Sequence, residues 1–147
     1  LEARMESICA DAACIPQALP PGSFSCCVSN PPYFSGGPAS VSTPLARRED
    51  GFSLDALLQN AAWALKYGGD LFLVHRPERL GEILSLSGRL RLEAKRLRLV
   101  RHREGEVPNL ILLQLRKGGR PGLRWEELTL YQKDGTPSPA YRSIYHL

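Results

Sequence analysis

Apolar positions recur along this chain in two rhythms, short unbroken runs and longer stretches of helical spacing, and the two alternate. Phe24 to Ser29 is a compact apolar run of the kind that makes a buried strand. Ser53 stands as an N-cap before Leu54, Leu57, Leu58, Ala61, Ala62 and Leu65, a set that falls on one helix face. Lys66 suits a last turn, and Gly68-Gly69 are expected to stop that helix. Trp63 falls beside the apolar face and reads as packing. Leu71 to Val74 predicts a second buried strand, ending at His75-Arg76. Pro77 then opens a helix through about Ser87, carried by Leu80, Ile83 and Leu84. Strand, helix, strand, helix with parallel-type apolar strands predicts an α/β fold.

Leu97 to Val100 and Leu110 to Leu115 follow, joined by a polar turn around Glu104-Gly105-Glu106. They predict an antiparallel pair near one edge of the sheet. The tail holds Leu128-Thr129-Leu130-Tyr131 and an Asp134-Gly135 turn, with no evident chemistry. Ile8-Cys9-Ala10 could form a short strand with Asp11 at its end, before a Pro/Gly loop from Pro16 to Gly22. Ser35 to Asp50 is rich in Gly, Ser, Pro and charge and reads as a mobile loop.

Composition narrows the picture. At 147 residues the chain is one domain or part of one, and its 43% hydrophobic content suits a globular protein. No apolar run is long enough to span a bilayer, so no membrane role is expected. A net charge of +4 permits a polyanionic partner without proving one. Seven Arg or Lys residues lie between Arg89 and Arg103, alternating with leucines; the wet face of amphipathic segments and contact with RNA are both open. Cys9, Cys14, Cys26 and Cys27 form no C-x-x-C pair, which argues against zinc. Buried, reduced thiols of a cytoplasmic protein are expected.

The candidate chemistry sits where the first strand ends, at Asn30-Pro31-Pro32-Tyr33. Each proline fixes its own φ and disfavours the α region in the residue before it, so Asn30 and Pro31 are held extended. The Asn30 side-chain oxygen and the Pro31 carbonyl can accept both hydrogens of an exocyclic NH2, while Tyr33 stacks on the ring that bears it. Two acceptors localise the amine lone pair and aim it at an electrophile, so catalysis would be positioning. Phe34 would help wall such a pocket, and Arg47 and Arg48 could meet phosphates or lie in a solvated loop.

Asn30-Pro31-Pro32-Tyr33 after an apolar strand resembles the motif of the class I, S-adenosyl-L-methionine-dependent amino-methyltransferases. Ala46-Arg47-Arg48-Glu49, the helix ending Leu65-Lys66-Tyr67-Gly68-Gly69, the Arg96-to-Val100 strand and the Asp134-Gly135-Thr136 tail are similar to the bacterial tRNA adenine-N6 methyltransferases within it. The resemblance covers the chain from about Ile8. It implies a Rossmann-like α/β fold, S-adenosyl-L-methionine as cofactor, and methylation of adenine N6 in tRNA. In it Asp11 matches an acidic residue beside the cofactor's adenine, though a helix-capping or solvated Asp fits the residue nearly as well. Related sequences carry an acidic residue where Ser25 stands and a His where Arg48 stands.

The family's glycine-rich turn after its first strand has no match here, because Gly36-Gly37, Gly68-Gly69 and Gly118-Gly119 are the only doublets. Residues 1–147 therefore read as a single partial domain, the substrate and catalytic-loop half, comprising strands four to seven. The last two are antiparallel, and the seventh lies between the fifth and the sixth. The cofactor half is expected to be absent, with this fragment alone inactive and the strand before Asn30 a bare edge open to a second copy. Two rivals remain, a methyltransferase acting on a protein glutamine amide and a non-catalytic RNA-binding module.

Overall fold

The computed structural model describes residues 19–31 and 53–146, with Met5, Ser7 and Ile8 before them. Its strands are β1 (Phe24–Ser29), β2 (Leu65–His75), β3 (Leu92–Arg103), β4 (Leu110–Lys117) and β5 (Arg124–Tyr131). The helices are α1 (Leu54–Ala64), α2 (Leu80–Arg89), which follows a single 3-10 turn at Pro77–Arg79, and α3 (Pro139–Tyr145). The strands form one sheet in the order β1-β2-β4-β3-β5. Strand β1 runs parallel to β2 and β3 parallel to β5, while β4 is antiparallel to both its neighbours. The first four strands thus take the expected order, with the last strand of the family set inserted between the two before it.

Amphipathic spacing explains the core. Leu54, Leu57, Leu58 and Ala61 of α1 and Ile83 of α2 meet Leu71 and Leu73 of β2, Leu97 of β3, and Ile111, Leu113 and Leu115 of β4. Both helices connect parallel strands and lie on the same face, as right-handed crossovers require. Ser53 caps α1, its hydroxyl accepting from the Ala56 N–H at 3.1 Å. The opposite face leaves Phe72 partly exposed and Val28 76% exposed.

Three expectations need correction. Helix α1 stops at Ala64 rather than at the glycines, and Leu65 is already extended at φ −70°, ψ 136°. The Lys117 ammonium ends it, donating to the Ala62 and Leu65 carbonyls at 2.6 and 2.7 Å. Sequence spacing could not reveal a cap that comes from another strand. Gly68-Gly69 lie inside β2, where pairing with β1 slips between Phe24↔Leu65 and Cys26↔Asp70. Gly68 takes φ +81°, which a side chain would disfavour, and the strand bulges there.

The second correction is at the far edge. The β3–β4 pair is antiparallel and near one edge as expected, but one more strand, β5, lies outside β3 and pairs along it from Arg96↔Arg124 to Arg103↔Tyr131. Strand β5 begins Arg124-Trp125-Glu126-Glu127, with no apolar alternation to mark it. It is instead tied by charge. Glu126 bonds Arg96 and Arg98, and Glu127 pairs with Arg101 at 2.7 Å. The third correction is Cys26, which is exposed rather than buried.

Asp70 and Arg116 face each other across β2 and β4, joined by two hydrogen bonds of 2.8 Å. This bond with Arg116 holds the Asp70 carboxyl below its ordinary range. A depressed carboxylate contributes stability above its unfolded pKa, and that contribution is lost as pH falls through its folded value. Asp70→Asn is therefore expected to lower the urea midpoint at pH 7, and the gap from wild type should close below about pH 4. Urea titrations at both pH values check this; a gap that persists in acid would assign the effect to packing.

Candidate active site

Strand β1 delivers Asn30 and Pro31 to the carboxyl rim of the sheet, beyond the Ser29↔Leu73 pairing with β2. Asn30 is exposed and Pro31 half-buried. A residue just past the end of a parallel strand, beside a crossover, is where open α/β sheets place ligand contacts. Pro32, Tyr33, Phe34, Arg47, Arg48 and Asp11 lie outside the described residues. Of the sequence-predicted site residues the structure thus positions Asn30 and Pro31, and the others are not described.

One flank of β1 faces α1 across a cavity of about 380 Å³, lined by Leu19, Cys27, Leu57, Asn60, Ala64 and Leu71 among others. Asn60 is 7% exposed and brings an amide into this apolar wall. Sequence reading passed over it, though its position three residues after Leu57, on the apolar face, was the available signal. On the other flank Val28, Phe72, Val74, Leu112 and Gln114 line a second cavity of about 330 Å³.

His75 ends β2 on the same rim and is 1% exposed. Its Nδ1 accepts from the Arg76 N–H at 2.8 Å. The thiol of Cys27 packs against the core, and burial, reinforced by neighbouring Cys26, pushes its pKa up.

The cofactor that the resemblance implies would need a glycine-rich turn between a strand and a helix. Gly68-Gly69 lie within β2, Gly118-Gly119 follow β4, and Gly36-Gly37 lie outside the described residues. Among the described residues, therefore, no glycine doublet forms the turn that would hold the cofactor.

Comparison with known proteins agrees with this geometry. Over 114 residues the chain is 32% identical to a tRNA1(Val) (adenine(37)-N6)-methyltransferase of Shewanella halifaxensis, an alignment covering 76% of this chain and 46% of that protein. The chain thus spans about half the length of this curated relative. A crystal structure from Agrobacterium tumefaciens, of a protein assigned as an O-methyltransferase, superposes with a TM-score of 0.77 at 22% identity. It covers 98% of this chain and 64% of that one. A Thermus thermophilus protein assigned as a DNA modification methylase, solved with S-adenosyl-L-methionine, matches with a TM-score of 0.54 at 18% identity. That match covers 93% of this chain and 58% of the other. No family model matches the chain. The resemblance read from the Asn-Pro-Pro-Tyr motif and the α/β fold expected from the strand pattern are both borne out.

The thiols supply a direct test of the local geometry. Cys26 is expected to alkylate well before Cys27 at pH 8, because Cys26 is exposed while burial shields the Cys27 thiol and pushes its pKa up. Timed iodoacetamide labelling with peptide mass mapping measures this. Equal rates would mean that β1 frays from α1.

Proposed function

With the class I methyltransferase fold established and a tRNA adenine-N6 methyltransferase among its sequence relatives, we propose that this protein methylates adenine N6 in tRNA. The carrying observation is Asn30-Pro31, delivered by a parallel strand to the carboxyl rim of the sheet. When bound, S-adenosyl-L-methionine supplies an electrophilic methyl group. Asn30 Oδ1 and the Pro31 carbonyl accept the two N6 hydrogens, which fixes the amine and directs its lone pair. Tyr33 stacks on the adenine, Pro32 stiffens the loop, and Phe34 closes the pocket. The amine proton departs to solvent after transfer, so no side chain with a shifted pKa is needed as a base. Arg47 and Arg48 meet RNA phosphates, and Asp11 lies by the adenine of the cofactor.

A tRNA substrate places the protein in the cytoplasm; no helix among the described residues is long and apolar enough to cross a membrane. Residues 1–147 act as the substrate and catalytic-loop half of the domain. Strand β1 pairs on one side only among the described residues, and its Val28 and Phe24 are exposed. We propose that a second copy pairs there when this chain is alone. Sedimentation equilibrium should then give a dimer, and a stable monomer at high concentration would refute the pairing.

Asn30→Ala in the full-length protein is expected to lower turnover roughly 100-fold or more, the scale of losing one preorganised hydrogen-bonding group, while RNA affinity stays unchanged. Single-turnover methylation of tRNA and a binding titration read the two separately. Equal loss of both would assign Asn30 a structural role, and methylation of a glutamine peptide instead of tRNA would move the substrate to protein.

A further inference from the structure

Across the sheet from Asn30, beside β3 and β5, the structure holds a concentration of positive charge that the proposed reaction does not use. Strands β1, β2, β3 and β5 all point the same way, so the starts of β3 and β5 and the end of antiparallel β4 share the amino rim. Lys95, Arg96, Arg116, Arg124, Gln114 and Gly122 line a cavity of about 480 Å³. Two carboxylates serve these cations. Asp70 is paired with Arg116, and Glu126 is shared by Arg96 and Arg98. Four lining cations against two partner carboxylates leave an excess of two positive charges, before Arg98 is counted.

The arrangement is also held in place. Lys95 Nζ donates to the Arg120 carbonyl at 2.8 Å, pinning the loop between β4 and β5 over the cavity. Gly122 takes φ +137° in this loop, a backbone conformation that a side chain would strain. Asp70 engages Nε and Nη2 of Arg116, which leaves the Nη1 hydrogens outside that pair. Arg124 is exposed at the first position of β5 and has no ion pair among the described residues.

We propose that this cavity binds a phosphodiester of the RNA substrate, far from the methylated base. The inference rests on the proposed RNA substrate and adds a second, sequence-independent anchor to it. A phosphodiester carries one negative charge and two free oxygens, which suits guanidinium donors already fixed by carboxylates. The strand register sets Arg96 level with Val28 through Gln114 and Phe72. Asn30 therefore lies three strands across and two residues along from Arg96, on the order of 16 Å, and one strand more from Arg124, on the order of 20 Å. An RNA must therefore be several nucleotides long to reach both sites, and a short oligonucleotide, a trinucleotide centred on the target base, cannot.

The test uses the full-length protein. Arg124→Glu should weaken binding of the whole tRNA roughly tenfold and reduce the slope of log affinity against log salt by about one. The KM for a short target oligonucleotide should stay unchanged. Glu126→Gln removes a competing carboxylate and should shift affinity and slope the other way, which damage to the fold would not do. The proposal is overturned if both variants bind tRNA as wild type does, or if the oligonucleotide KM rises with the tRNA Kd. Competition by inorganic phosphate with an unchanged tRNA salt slope would also overturn it, as a site for the free anion. Loss of turnover in Asn30→Ala tests the chemistry independently, so the two readings fail separately.

Discussion

The paired bonds between Asp70 and Arg116 fix the register of β2 against β4, and most of the molecule depends on that register. The pair sits where β2 resumes its pairing after the bulge at Gly68-Gly69, so it marks the first residue of the regular ladder. One residue further along β4, Lys117 reaches the end of α1 and closes it. The same stretch of β4 thus sets the start of the sheet's centre and the length of the helix packed on it. A slip of one residue would turn Leu71, Leu73, Leu113 and Leu115 away from the helices.

Local patterns in the sequence carried the elements nearest the site. The apolar run before Asn30 and the spacing from Leu54 to Ala61 each act locally and each produced the element they predict, while Pro77 opens a 3-10 turn and the helix it was expected to start begins at Leu80. What was illegible acts at a distance. Glu126 and Glu127 look like solvent residues until Arg96, Arg98 and Arg101 are seen beside them. The end of α1 is invisible without Lys117, 52 residues beyond Leu65. Asn60 was hidden for another reason, since an amide among leucines reads as noise in an apolar stripe.

The run of cations from Arg89 to Arg103 shows how the same residues change meaning once partners are placed. Read in line, they form one basic stretch. In the sheet, Arg96, Arg98 and Arg101 are bound to β5, and the positive surface shifts to residues drawn from three strands and a loop. Charge counted along the chain and charge felt by a ligand are therefore different quantities here.

The order of the strands also bears on how the chain can fold. Among strands that pair, only β3 and β4 are joined by a short connection, with Val100 opposite Leu110. Every other pairing joins segments that are distant along the chain, and β4 must enter between β2 and β3, both made before it. On a ribosome, β1 and β2 would emerge with the centre of their sheet unfinished, and burial of Leu71 and Leu73 would wait for the last residues of β4. Such topology folds slowly, through non-local loop closures. The hairpin of β3 and β4 is then the natural nucleus, and a nascent chain stalled before Lys117 would hold its apolar strands exposed.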